Sequence, residues 1–167
     1  MEKWNAYTKD EKMTDVILIK GEAMPEGLYH LCCDVLVKHK DGDYLIMRRS
    51  FEKRDCPGCY ENTAGGAAQL NEDKYACIKR ELKEETGIDC DEFEEVNRIV
   101  YENGQAIFYS FVCEVDCDKT AITLQEGETI EYKWLNEEQF KKHIKSKDVV
   151  DQQIERFKNY FIKNNLF

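Results

Sequence analysis

The stretch from Gly66 to Ile88 constrains this chain more than any other, because its glycines, acids and one arginine recur at set intervals along a helical pattern. Gly66 is followed after five residues by Glu72, after seven more by Arg80-Glu81-Leu82, and then by Lys83-Glu84-Glu85-Thr86-Gly87-Ile88. Tyr75, Ile78 and Leu82 fall at i, i+3 and i+7, a spacing that lays an apolar stripe along one side of a helix. Gly87 then supplies the left-handed residue that commonly ends one. On the adjoining face Glu81, Glu84 and Glu85 stand at i, i+3 and i+4, so their carboxylates converge. Helix physics disfavours that placement: like charges cost about 0.2–0.5 kcal/mol per pair, and acids in the last turn oppose the macrodipole by roughly 0.3–1 kcal/mol each. A hard divalent cation taking carboxylate oxygens is the simplest compensation. The alternative is a solvated acidic helix face.

Length and charge narrow the setting. A chain of 167 residues suits one domain spanning 1–167, long enough to bury a real core. Met1-Glu2-Lys3-Trp4-Asn5 lacks a signal peptide's apolar run, and nothing later approaches the ~18 apolar residues that would span a bilayer. A cytoplasmic protein with no membrane partner is therefore expected. A net charge of −10 argues against a nucleic-acid polymer as partner, since such binding draws on a basic surface. A small anionic substrate stays compatible, because metal ions and a few local basic residues can neutralise it.

Without a signal peptide, the eight cysteines give no support for a disulfide framework. Cys56-Pro57-Gly58-Cys59 is a Cys-x-x-Cys, and Cys113 with Cys117 makes a looser pair, which leaves a redox or zinc site as an alternative. Cys32, Cys33, Cys77, Cys90 and Cys113 lie in apolar contexts and read as small buried hydrophobes.

Along the chain, Val16 to Ile19 reads as a short strand and Leu28 to Val37 as a longer one. Lys40-Asp41-Gly42-Asp43 supplies a turn before Tyr44 to Met47 returns as a hairpin. Residues 52–71 read as a functional loop ahead of the acidic helix. Beyond it, Arg98 to Glu102 and Ala106 to Val115 form a second hairpin turning at Asn103-Gly104, and Ile130 to Leu135 a last strand. Asn136 caps a helix through about Ile144, and Asp148 caps another carrying Ile154, Phe157, Phe161 and Ile162. Strands and helices interleaved in this way predict a sheet between helices.

The spacing of Gly66, Glu72, Arg80, Glu81, Leu82, Glu84, Glu85, Gly87 and Ile88 matches every position of the Nudix box, Gly-x5-Glu-x7-Arg-Glu-U-x-Glu-Glu-x-Gly-U with U aliphatic, and the chain resembles that family. The resemblance implies an α/β (α+β) fold, an α/β/α sandwich around a mixed sheet. Trp4-Asn5-Ala6-Tyr7, Pro25 to His30, Arg48-Arg49 with Lys53, Pro57-Gly58 and Asn62-Thr63 further resemble the branch related to isopentenyl-diphosphate isomerase. The isomerases need a cysteine after Asn-Thr and a metal-binding histidine three residues later, where this chain has Ala64 and Ala67. The resemblance therefore implies a pyrophosphohydrolase acting on a small-molecule diphosphate, such as a nucleoside diphosphate linked to another moiety. An isomerase-like enzyme and a non-catalytic nucleotide-binding module are the alternatives.

Residue by residue, the resemblance implies that the Gly66 carbonyl and the carboxylates of Glu81, Glu84 and Glu85 ligate Mg2+ or Mn2+. Arg80 would pair with Glu72 and orient the helix. Glu128 is the downstream choice for the base that takes a proton from water, with Glu126 and Glu131 as runners-up. Arg49 and Lys53 match basic residues that hold diphosphate in the isomerase relatives. Tyr60, Tyr101 and Phe108 could each stack on a nucleobase, or sit in the core. His30 matches an isomerase metal ligand but has lost its partner, which favours a structural role. A homodimer is expected because many relatives form one.

Overall fold

The computed structural model describes residues 1–167. Its sheet is built around a ten-residue parallel ladder between β3 (His30–His39) and β8 (Ala106–Val115). β4 (Tyr44–Arg49) returns from β3 through the turn at 40–43, and β7 (Glu94–Tyr101) pairs antiparallel with the far edge of β8. β9 (Thr129–Leu135) closes the other side along β4. β1 (Lys3–Tyr7) and β2 (Met13–Ile19) form a separate two-stranded sheet.

The β3–β4 hairpin diverges almost at once, with Lys38 and Tyr44 its only paired residues. Two short strands fill the gap. β5 (Tyr60–Glu61) pairs with Met47 and Arg48 of β4, and β6 (Gly65–Ala67) pairs with Cys32, Cys33 and Asp34 of β3. Residues 62–64 thus run inside the sheet's own gap, and buried Thr63 takes a φ of 141°, a region non-glycine residues seldom occupy.

Three helices cover the two faces, giving an α+β fold of three layers. α1 (Lys74–Thr86) buries Cys77, Ile78 and Leu82 against Cys33, Val35, Val37 and Phe111. α2 (Glu137–His143) and α3 (Asp151–Lys163) place Phe140, Phe157 and Phe161 on the other face, over Leu36, Tyr44, Ile46 and Val112. Strand alternation makes this two-sided packing possible, since Val35 and Val37 point one way and Leu36 the other. No helix is long and apolar enough to cross a membrane.

Several expectations from sequence need correction. Tyr75 is 48% exposed, so the α1 stripe is completed by Cys77 instead. β1 was not anticipated, and the loop over 52–71 contains β5 and β6. The predicted strand from Leu28 begins two residues later, at His30, and β7 begins at Glu94. Asn136 does cap α2, in a full capping box with Gln139, but α3 starts after Val150 with no side-chain cap, not at Asp148. All eight cysteines are free, and Cys90 is only half-buried. No cluster of cysteine, histidine or acid side chains forms a zinc site.

Candidate active site

Asp73 opens α1, its carboxylate accepting the N–H groups of Tyr75 and Ala76, and Gly87 closes it at φ 77°. Those two ends fix which residues face β6. Gly66 lies directly against Glu81: a Cβ at position 66 would stand 2.4 Å from Glu81 Oε1. Gly65 is equally confined, with a Cβ there meeting the Cys33 carbonyl oxygen at 2.6 Å. Glycine at 65 is therefore required by close approach of backbone, whereas a side chain at 66 would displace the Glu81 carboxylate.

Arg80 organises the acids on its side of the helix. Its Nε and Nη2 donate to the two oxygens of Glu72 at 2.6 and 2.8 Å, and Nη2 also reaches the Ala67 carbonyl at 3.1 Å. Nη1 donates to Glu81 at 2.7 Å and to the more exposed Glu84 at 3.1 Å. Glu72, by taking the Gln69 N–H at 2.8 Å as well, anchors this fork to the chain entering α1. The predicted Arg80–Glu72 pair is present, and it ties α1 to β6.

Glu85 is treated differently. It is buried, takes part in no ion pair, and accepts one hydrogen bond, from the Gly65 N–H at 3.1 Å. Burial first, and then the charges of Glu61, Glu81 and Glu128, push its pKa well above the ordinary carboxylate range. Glu81 is shifted upward too, by burial that outweighs its contact with Arg80. Glu61, which sequence reasoning did not single out, is buried on β5 and paired with Arg49 at 2.8 Å, and burial raises it as well. Nothing in its local sequence marked it, since a two-residue strand has no readable period.

The acids open onto a cleft of about 380 Å³ walled by Gly65, Gly66 and Ala67, with Lys20, Lys53 and Glu128 opposite. Lys53 forms an ion pair with Glu128 there. Trp4 of β1, with Glu2 just before β1 and Lys20 just after β2, completes the rim, and Lys20 pairs with Glu2 at 2.7 Å. These three were missed because their strands are remote in sequence from the acids.

Other expected positions fall elsewhere. Arg49 lines a second cavity, which shares Gly65, Gly66 and Ala67 with the acid cleft, and feels the charges of Glu61 and Glu128. Tyr60 lines neither cavity: its hydroxyl donates to Glu131 at 2.9 Å and accepts from Lys133 at 2.5 Å. Glu131 is thereby placed apart from the acids, and Glu126 is exposed. His30 stacks on Trp4 with ring centroids 4.5 Å apart, and burial lowers its pKa.

The donor set suits a hard divalent cation: the carboxylates of Glu61, Glu81 and Glu128 lie near enough to Glu85 to raise its pKa, and no cationic side chain pairs with it. The acid side chains alone do not make a ready three-ligand cage, so the Gly66 carbonyl and a shift of Glu81 or Glu84 away from Arg80 would be needed.

The chain belongs to the Nudix family: the NUDIX domain model matches residues 28–156. It is similar to an uncharacterized Nudix hydrolase of Listeria monocytogenes, at 25% identity over 100% of this chain and 94% of that one. Its likeness to isopentenyl-diphosphate Delta-isomerase 2 of Photorhabdus laumondii is 27% over 70% of this chain and 68% of the relative. Among solved structures, the DR0079 protein of Deinococcus radiodurans shares the fold with a TM-score of 0.72 at 15% identity, covering 95% of this chain and 99% of that one.

Proposed function

We propose that this hydrolase is a divalent-metal-dependent pyrophosphohydrolase that cleaves the diphosphate of a nucleoside diphosphate linked to another moiety. The observation that carries this reading is Glu85, a buried carboxylate without an ion pair, beside two more acids at a cleft walled by glycine backbone. Mg2+ or Mn2+ held by the Gly66 carbonyl, Glu81, Glu84 and Glu85 would supply Lewis acidity to phosphate oxygens and lower the pKa of a bound water.

The chain's own groups then have distinct tasks. Arg80 holds Glu72 and the 67 carbonyl, which keeps α1 at a set distance from β6. Lys53 binds a phosphate oxygen when a diphosphate enters, and in doing so releases Glu128 from their ion pair. Glu128 is then free to accept the proton of the attacking water. The buried Ala64 and the nearby Ala67 offer no group for isomerase proton transfer, which favours hydrolysis.

A panel of diphosphates with Mg2+ or Mn2+, read by phosphate release after phosphatase coupling, tests the activity. Glu85→Gln should lower turnover by at least about 100-fold while leaving the fold intact. Full activity in that variant sinks the assignment, and so does an inert wild type across the whole panel.

A further inference from the structure

Cys56-Pro57-Gly58-Cys59, between β4 and β5, takes no part in the proposed hydrolysis, yet its backbone forms a tight turn. The Cys59 N–H donates to the Cys56 carbonyl at 3.2 Å, and Gly58 follows Pro57 with a φ of 73°. Proline in second place and a left-handed glycine in third are the marks of a type II turn, which brings its first and last Cα atoms within roughly 7 Å. A disulfide spans about 4.4–6.8 Å between the same atoms. The turn therefore holds its two cysteines at bonding reach. Both thiols are free, and they lie close enough for Cys56 to act on Cys59.

The two sulfurs stand in different surroundings. Cys56 is the only exposed cysteine of the eight, whereas Cys59 is half-buried. Cys56 also holds a φ of 48°, a left-handed conformation that non-glycine residues seldom adopt. Two arginines brace the turn from β4. The Arg49 N–H donates to the Cys59 carbonyl at 2.9 Å and its Nε to the Asp55 carbonyl at 3.2 Å, while Arg48 Nε donates to the Gly58 carbonyl at 3.1 Å. The Arg49 charge acts on both sulfurs, and a nearby cation favours the thiolate, the form in which cysteine attacks. Burial and the neighbouring Cys56 nevertheless keep the Cys59 thiol above its ordinary range. An accessible sulfur able to attack is thus paired with an inner one that stays protonated until called on.

We propose that Cys56 and Cys59 form a reversible thiol–disulfide exchange site whose co-reactant is a small-molecule disulfide, with Cys56 the attacking sulfur and Cys59 the resolving one. The Cys56 thiolate attacks one sulfur of the small disulfide, forming a mixed disulfide and expelling one small thiolate. Cys59 then gives up its proton and attacks the Cys56 sulfur, which closes the protein disulfide and expels the second small thiolate. The two protons released by the cysteines end on the two small thiols, and two electrons pass from the protein pair to the small disulfide. An exposed disulfide closing so short a ring belongs to the labile kind that the reverse reaction reopens. Its position gives it a neighbour of consequence: Cys56 lines the same cavity as Arg49 and Glu61.

Mass spectrometry of the native full-length chain tests this without any measure of hydrolysis, so the outcome is independent of the proposed reaction. The reduced chain is equilibrated with buffers of reduced and oxidised glutathione, quenched in acid, alkylated after unfolding and cut with trypsin. The tryptic peptide from Asp55 to Lys74 holds Cys56 and Cys59 and none of the other cysteines. In wild type it should emerge unalkylated and lighter than the dithiol peptide by two hydrogen atoms, and excess reduced glutathione should restore the dithiol. The equilibrium constant for closing the ring should be at least about 10-fold larger in the native chain than in urea, where the turn is lost. Cys59→Ser should stop at a glutathione adduct on Cys56. Cys56→Ser should slow glutathione attachment to the peptide by about 10-fold or more. A native wild-type peptide that stays a dithiol, or that halts at the adduct, overturns the inference. Equal ring closure in native and unfolded chain does so too, as does undiminished reaction in Cys56→Ser.

Discussion

Glu85 carries a cost that depends on pH, and the sign can be worked out. Its folded-state pKa is raised, chiefly by burial, so the folded chain favours the protonated acid. The associated stability is fully present below the unfolded value and is lost as pH rises through the folded one. In metal-free protein, Glu85→Gln should therefore melt higher than wild type at pH 8 and at about the same temperature at pH 4.5. Added Mg2+ should narrow the gap at pH 8 by stabilising wild type alone. Thermal melts at both pH values, with chelator or with metal, check this, and a gap that is widest at pH 4.5 would contradict the burial argument. Much of this residue's setting was legible in the i, i+3, i+4 spacing of the acids. Its burial was not, because that depends on β6 and Glu61, which reach it only through tertiary pairing.

Among the elements, α1 was the most legible, since its cap, its apolar positions and its terminal glycine are all local. Gly87 closes it at φ 77°, and a Cβ there would meet Thr123 Oγ1 at 3.1 Å. Gly87→Ala should accordingly destabilise the protein by about 1 kcal/mol or more, measured by urea unfolding. A neutral result would mean the helix can end elsewhere. β5 and β6 were the least legible elements. Two- and three-residue strands have no period to detect, and they exist because β3 and β4 leave a gap to fill. Asp148 failed as a cap because residues 148–150 are engaged with Tyr60: its carbonyl accepts the Tyr60 N–H, and the Val150 N–H returns to the Tyr60 carbonyl.

At the scale of the whole molecule, the sheet separates two apolar clusters, and α3 supplies the smaller one. Phe161 is fully buried there, against Phe140 and Phe157. Phe161→Ala should cost about 3–5 kcal/mol in urea unfolding, a loss large enough to threaten a domain of ordinary stability. A loss below 1 kcal/mol would show that α3 is dispensable to the fold. The three-layer arrangement was legible from the interleaved pattern of strands and helices. The convergence of Lys20 and Glu61 on the acids was not, since it follows from strand order, whereas Glu128 was marked by its place just ahead of β9. The gap between β3 and β4 also has an evolutionary consequence. Residues 60–67 are held by five strand pairings at the margins of a frame that does not depend on them for its long ladder. They carry Ala64 and Ala67, the two positions at which the sequence departs from the isomerase-like pattern, so that departure is confined to side chains on a short segment whose backbone path is set by its neighbours.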